Sequence, residues 1–247
     1  MRYFIMALVG AVFAGSAQAG ESVVYEAGGE QYEGYFAEAS DPEGLILIIH
    51  DWDGLTDYER KRADMLAELG YDAFAVDLYG KGNRPVETSA KKAETAKLYN
   101  DREKMRSRIL AGLSEGRRLG ADESVVMGYC FGGAAVLELA RSGQAENVAG
   151  YATFHGGLST PKGQDYPADT APILVAHGGA DSSISMQDVA SLSGELEEAG
   201  VPYEIQVYSG APHAFTVFGS DRYQERADRK SWDAFKSFLE SNLAAGN

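Results

Sequence analysis

Beyond residue 20, apolar and polar positions follow two rhythms, unbroken or alternating apolar runs and stretches of helical period, and these take turns along the chain. Val23 to Tyr25 and Tyr32 to Ala37 flank Gly28-Gly29 and predict an antiparallel hairpin at a sheet edge. Leu45-Ile46-Leu47-Ile48-Ile49-His50 is apolar up to its last residue, as a strand covered on both faces must be. Asp57 to Leu69 places Leu and Met on one side, stops at Gly70 and predicts a helix. Ala73 to Asp77 is the next strand, and the charged segment Thr88 to Leu119 reads as surface helix, one or two in succession, rather than as a lid. Later strands are expected at Ser124 to Met127, Val148 to Phe154, from Ile173, and at Tyr203 to Tyr208. Helices are expected after Gly133, at Ser185 to Ala199 and at about Arg222 to Leu243. Strands joined by helices imply an α/β fold, a mostly parallel central sheet with right-handed crossovers and helices on both faces.

The N-terminus departs from this pattern. Met1-Arg2 precedes an apolar stretch from Tyr3 to Ala14, and Ala17-Gln18-Ala19 is an A-x-A cleavage site. That is the form of a secretory signal peptide, too short for a comfortable membrane span. Residues 1–19 are expected to be removed, leaving 20–247 as one domain in the periplasm or outside the cell. At 247 residues the chain can bury a full core. The formal net charge of -15 argues against nucleic acid and anionic membrane surfaces as partners.

The single cysteine, Cys130, cannot form an internal disulfide. A thiol exported into an oxidising compartment is exposed to oxidation, which favours a chemical role over a structural one. Its surroundings agree. Ser124 to Met127 suits a buried strand, Gly128-Tyr129-Cys130-Phe131-Gly132-Gly133 follows, and Ala134 to Ala140 is rich in helix formers. Strand, G-x-C-x-G, helix is a nucleophile elbow with cysteine in place of serine. The glycines make room around a strained backbone, and the helix points its N-terminus at the sulfur, which favours the thiolate.

Two more segments follow in the order of an α/β-hydrolase. The strand from Ile173 runs into His177-Gly178-Gly179-Ala180-Asp181, and the Tyr203–Tyr208 strand into Ser209-Gly210-Ala211-Pro212-His213. Nucleophile, acid and base in that sequence predict a triad of Cys130, Asp181 and His213. Of the four histidines, only His213 comes after the acid and beyond the final strand; for His155 and His177 a structural role is favoured. Backbone amides of Phe131 and Trp52 are the expected oxyanion donors. His50-Asp51-Trp52-Asp53 lacks the later glycine and glutamate of a calcium loop, and no Cys/His spacing suits zinc, so no metal is expected. Neither a dinucleotide fingerprint nor a P-loop is present.

Five segments together resemble the dienelactone hydrolase family: His50-Asp51-Trp52-Asp53-Gly54-Leu55, Asp77-Leu78-Tyr79-Gly80-Lys81-Gly82, the Gly128–Gly133 elbow, Gly179-Ala180-Asp181 and Pro212-His213-Ala214-Phe215. The resemblance implies an α/β-hydrolase with the triad Cys130, His213 and Asp181, acting on a small ester or lactone without a metal or organic cofactor. It also sets Asp51 where the family carries a glutamate that contacts the resting thiol. Lys81 and Val217 stand where two arginines clamp the substrate carboxylate; lysine loses the bidentate fork and valine cannot bind a carboxylate. Tyr79 and His155 are the remaining candidate substrate contacts. The expected function is therefore an exported hydrolase of small esters or lactones working through a thioester. A thioesterase or acyltransferase on the same triad and a non-catalytic binding protein are the alternatives.

Overall fold

The computed structural model describes residues 19–243, so residues 1–18 of the expected leader lie outside the described residues. The hairpin is β1 (Glu21–Ala27) and β2 (Glu30–Ala37), paired antiparallel with Tyr25 opposite Tyr32. There follow β3 (Leu45–Ile49), α1 (Asp57–Glu68), β4 (Asp72–Val76), α2 (Thr88–Asn100), α3 (Arg102–Leu119), β5 (Ser124–Tyr129) and α4 (Phe131–Ser142). The chain closes with β6 (Val148–Phe154), β7 (Ile173–Gly178), α5 (Met186–Ala199), β8 (Tyr203–Tyr208) and α6 (Glu225–Leu243). All eight strands form one sheet in the order β1-β2-β4-β3-β5-β6-β7-β8. Only the pairs involving β2 are antiparallel; β4 through β8 run parallel.

The unbroken apolar run of β3 has a direct cause. Leu45, Leu47 and Ile49 pack on one face with Met105, Ile109 and Leu113 of α3, Val136 and Leu139 of α4 and Leu192 and Leu196 of α5. Ile46 and Ile48 pack on the other face with Ala63 and Leu66 of α1 and Phe235 and Leu239 of α6. All five β3 side chains are fully buried, each contributing about 1.5–3 kcal/mol relative to exposure. An alternating strand could not serve two layers at once.

Thr88 to Leu119 is two helices, and the break is a capping event: Asp101 ends α2, and its Oδ1 accepts the Lys104 amide at 3.0 Å to start α3. In α2 Leu98 is the one buried residue, so that helix lies on the surface. The final helix begins at Glu225, three residues later than the sequence suggests, because Ser220 to Tyr223 form a turn closed by the Tyr223 amide on the Ser220 carbonyl. The carboxyl ends of β3, β4, β5, β6, β7 and β8 all open on one edge of the sheet, where ligands bind in open α/β sheets.

Candidate active site

Cys130 sits between β5 and α4 with φ 51° and ψ −110°, a conformation that L-residues rarely adopt. Its amide donates to the Phe154 carbonyl at 3.0 Å, which holds the turn to the neighbouring strand. The flanking glycines are required by space. A Cβ at Gly128 would overlap the carbonyl group of Gly132, and one at Gly132 would overlap the carbonyl oxygens of Ile49 and His50. The elbow thus presses directly on the end of β3, and Cys130, half-buried, caps the start of α4.

The acid and base loops are stitched together at the ends of β7 and β8. The Ala180 amide donates to the Ala211 carbonyl at 2.9 Å, and a side chain at Gly178 would run into the Ala211 and Pro212 carbonyls. This sets His213 Nδ1 2.8 Å from Asp181 Oδ2, while His213 Nε2 lies 3.1 Å from Cys130 Sγ. Asp181 also accepts the Ser183 and Ile184 amides at 2.8 and 3.0 Å. Burial works against charge on His213, but its bonds to Asp181 and to the sulfur prevail, and the imidazole is pushed up from 6.5 to about 9. Burial would raise Asp181, yet the His213 bond and the two amides hold its carboxyl below the ordinary carboxylate range.

The loop after β3 faces the elbow. His50 is fully buried; its Nδ1–H donates to the Asp51 carbonyl at 2.6 Å and its Nε2 accepts the Leu78 amide at 3.1 Å. Burial pushes it down to about 4, so it stays a neutral imidazole that ties two strand ends together. Tyr79 donates its hydroxyl to the Trp52 carbonyl at 3.2 Å and lies edge-on to His50. Neither the Trp52 nor the Phe131 amide has an acceptor among the described residues, which leaves both free for an oxyanion.

Other expected site residues are placed differently. Asp51 makes no hydrogen bond to Cys130: its Oδ1 accepts the Asp53 amide at 2.7 Å, because the shorter side chain folds back on its own loop. Burial pushes its carboxyl up to about 6. His155 is 1 % exposed and sits behind His213, so it presents no face to a substrate. Lys81 is exposed and lines, with Tyr79, Leu98, Lys104 and Arg108, a cleft of about 400 Å³ that does not include the sulfur. His177 is buried at the end of β7. Among the described residues no three His, Cys, Asp or Glu side chains are grouped to hold a metal.

Two nearby residues escape a reading of the sequence. Glu59, fully buried, accepts the Thr56 amide and hydroxyl, both at 2.8 Å, and reaches the Asp51 amide at 3.5 Å. Burial and then the Asp51 carboxyl push it up to about 8. The Thr56-x-x-Glu59 capping box was the available signal. Tyr99 of α2 lies edge-on to Phe131, 5.4 Å between centroids, and no periodicity in α2 marks it.

Comparison with known proteins adds to this geometry. The family model described as the dienelactone hydrolase family matches residues 32–243. The chain is 26% identical over 210 residues to a Bradyrhizobium protein named as a 2-oxo-3-(5-oxofuran-2-ylidene)propanoate lactonase, covering 80% of this chain and 84% of that one. It is 28% identical over 226 residues to a Salmonella typhimurium protein named as a carboxymethylenebutenolidase, covering 83% and 80%. Among solved structures, a dienelactone hydrolase-like promiscuous phosphotriesterase from metagenomic libraries superposes with a TM-score of 0.83 at 26% identity, covering 92% of this chain and 99% of that one.

Proposed function

The chain belongs to the dienelactone hydrolase family and is an α/β-hydrolase of esters or lactones; we propose that it works through a Cys130–His213–Asp181 triad and a thioester, after export. The observation that carries this reading is the unbroken series from Asp181 through His213 to the Cys130 sulfur, at 2.8 and 3.1 Å, beside two free amides. In it the Cys130 thiolate attacks the carbonyl carbon, and the amides of Phe131 and Trp52 hold the oxyanion. Collapse expels the alkoxide, which takes the proton from His213 Nε2 and leaves a thioester on Cys130. His213 then removes a proton from water, the hydroxide attacks the thioester, and the acid leaves with restoration of the thiolate and imidazolium. An acyltransferase would differ only in replacing that water by an alcohol or amine.

The test is rapid-quench intact-protein mass spectrometry with short-chain nitrophenyl esters and small lactones. An acyl adduct on Cys130 that persists longer in His213→Ala is the expected result; turnover with no adduct under any quench time would sink the thioester step. An aryl dialkyl phosphate belongs in the same panel, given the phosphotriesterase relative.

The pH dependence has a definite sign. His213 must be an imidazolium to protonate the alkoxide, so turnover is expected to fall as pH rises through about 9. Iodoacetamide labelling of Cys130 needs only the thiolate and should not fall there. Parallel loss of both above pH 9 would show that the imidazolium is not the acid.

Export rests on the amino-acid sequence, the A-x-A site at Ala17-Gln18-Ala19 behind an apolar stretch, and it has a consequence for the residues that follow. The Gly20 amide donates to Asp64 Oδ1 at 3.0 Å, and the Tyr35 hydroxyl donates to the same oxygen at 2.8 Å. Cleavage after Ala19 would convert that amide into an ammonium against Asp64, with Arg60 and Glu33 as the other nearby charges. An ammonium paired in the folded state has a raised pKa, so its contribution is present below about 8 and is lost as pH rises further. A chain beginning at Gly20 should be more stable than its Nα-acetylated form by up to about 1 kcal/mol at pH 7, with the difference gone at pH 10. A mature mass that does not begin at Gly20 would count against this processing, and equal urea midpoints at pH 7 would show that the new ammonium does not pair with Asp64.

A further inference from the structure

Behind His213 lies a buried polar chain that the mechanism above does not use. His155, at the end of β6, has φ 41° and donates its amide to the Ala176 carbonyl at 2.8 Å. Its ring stands edge-on to His213, with centroids 5.2 Å apart and planes at 66°. Phe215 stands edge-on to the same ring at 5.4 Å, and Tyr129 closes a third side at 5.9 Å. Its Nε2 is 2.8 Å from the Thr216 hydroxyl, which in turn accepts from the Tyr58 hydroxyl at 2.7 Å. Arg62 Nε donates to the Tyr58 oxygen at 3.4 Å, and Arg62 Nη2 donates to the Thr216 carbonyl at 3.0 Å while pairing with Asp228.

The direction of these bonds is set by chemistry. Guanidinium can only donate, so Tyr58 accepts from Arg62 and donates its hydroxyl to Thr216, which leaves the Thr216 hydroxyl to donate to His155. Nε2 of His155 is then an acceptor and the ring proton sits on Nδ1. Burial, aided by the charge on His213, keeps the ring neutral.

We propose that His155 is a positioning residue for the hydrolysis, a neutral ring locked by Thr216 and Tyr58 that fixes the plane of His213 between Asp181 and Cys130. The inference rests on the triad reading. Without the lock, His213 is held by its bonds to Asp181 and the sulfur alone and can tilt about them, so its Nε2 is aimed less closely at the leaving oxygen. Misalignment of this size slows the chemical step and leaves substrate binding nearly untouched. The groups that face His213 from the packed elements are Cys130, Asp181, His155, His177 and Asp51. His155 is the one of these tied through its side chain, by Thr216, to Tyr58 and Arg62 of α1 among the described residues.

Thr216→Val, Thr216→Ser and Tyr58→Phe test this in the full mature chain with a nitrophenyl ester. Thr216→Val should lower kcat about ten- to a hundredfold at unchanged KM, and slow iodoacetamide labelling of Cys130. Thr216→Ser, which restores the hydroxyl, should recover kcat to within about a factor of two, and Tyr58→Phe should fall between them. A merely structural role would lower the melting temperature of Thr216→Val while its folded fraction kept the wild-type kcat and labelling rate, and that result would overturn the proposal. Cys130→Ala, run alongside, separates the two failures. If it remains active, the triad reading is wrong; if it is inactive while Thr216→Val behaves as wild type, only the role of His155 is wrong.

Discussion

Cys130→Ala is expected to lower kcat for a short-chain nitrophenyl ester by at least about 10⁴-fold, because a triad acts as a unit and loses nearly everything with its nucleophile. The substitution leaves the elbow standing: alanine keeps the Cβ at φ 51°, and the Cys130 amide bond to Phe154 is a backbone bond. Folding and stability should therefore change little, and the lost activity can be assigned to the sulfur. Residual hydrolysis above the rate in water would come from the Trp52 and Phe131 amides alone. Cys130→Ser is the sharper comparison. The hydroxyl occupies the same place 3.1 Å from His213 Nε2 but needs that base to remove its proton at each turnover, so the imidazolium that serves a thiolate becomes a disadvantage. Serine activity should rise with pH as His213 loses its proton, with a midpoint below the value of about 9 that the sulfur helps to set, while the alanine variant stays flat. If Cys130→Ala hydrolysed the ester at a tenth or more of the normal rate, the nucleophile would have to be sought elsewhere.

Glu138→Gln should destabilise the fold by about 3 kcal/mol, through loss of the one carboxylate among three guanidinium groups. Glu138 is 1% exposed on α4, two turns beyond the nucleophile. It receives Arg102 and Arg106 from α3 at 2.7 and 2.6 Å, and Arg141 of its own helix at 3.5 Å. Gln164, from the long connection between β6 and β7, donates to Oε1 at 3.0 Å, and Arg141 continues to Gln164 and to the Tyr166 hydroxyl. One carboxylate thus ties three parts of the chain together. Glutamine keeps the shape and loses the charge, leaving the arginines to repel one another in a half-buried space. The urea midpoint should drop with an unchanged m-value, while kcat of the folded fraction stays near normal because no partner of Glu138 touches the triad. A shift under about 0.5 kcal/mol would show that water screens the cluster far more than its burial implies.

How much of this was readable beforehand differs from residue to residue. The expected elements for residues 23–243 match the observed ones in kind and order, with the last helix starting three residues later, because two-sided burial demands unbroken apolar strands and one-sided burial demands helical periodicity. The elbow glycines announce themselves since no other residue fits against the carbonyls of Ile49, His50 and Gly132. Chain order placed Cys130, Asp181 and His213 beyond three strand ends, and the parallel sheet brings all such ends to one edge. Asp51 was different. Its place after β3 was legible, but not that a shorter side chain would turn to the Asp53 amide instead of the sulfur. For His155 the structural role favoured by position agrees with its burial behind the base, whereas its candidacy as a substrate contact does not.

The amino-acid sequence by itself thus determined the α/β architecture, the elbow and the order of nucleophile, acid and base, since each follows from local spacing, period or steric room. Only the tertiary structure decided what stands behind them. The Tyr58–Thr216 bond joins residues 158 positions apart, and Arg62 and Asp228 are 166 apart. No local pattern encodes which surface helix and which loop will meet across the end of a sheet. Those contacts arise when the twist of the parallel sheet and the packing of α1 against α6 bring distant polar groups into the same buried space, where each must find a partner.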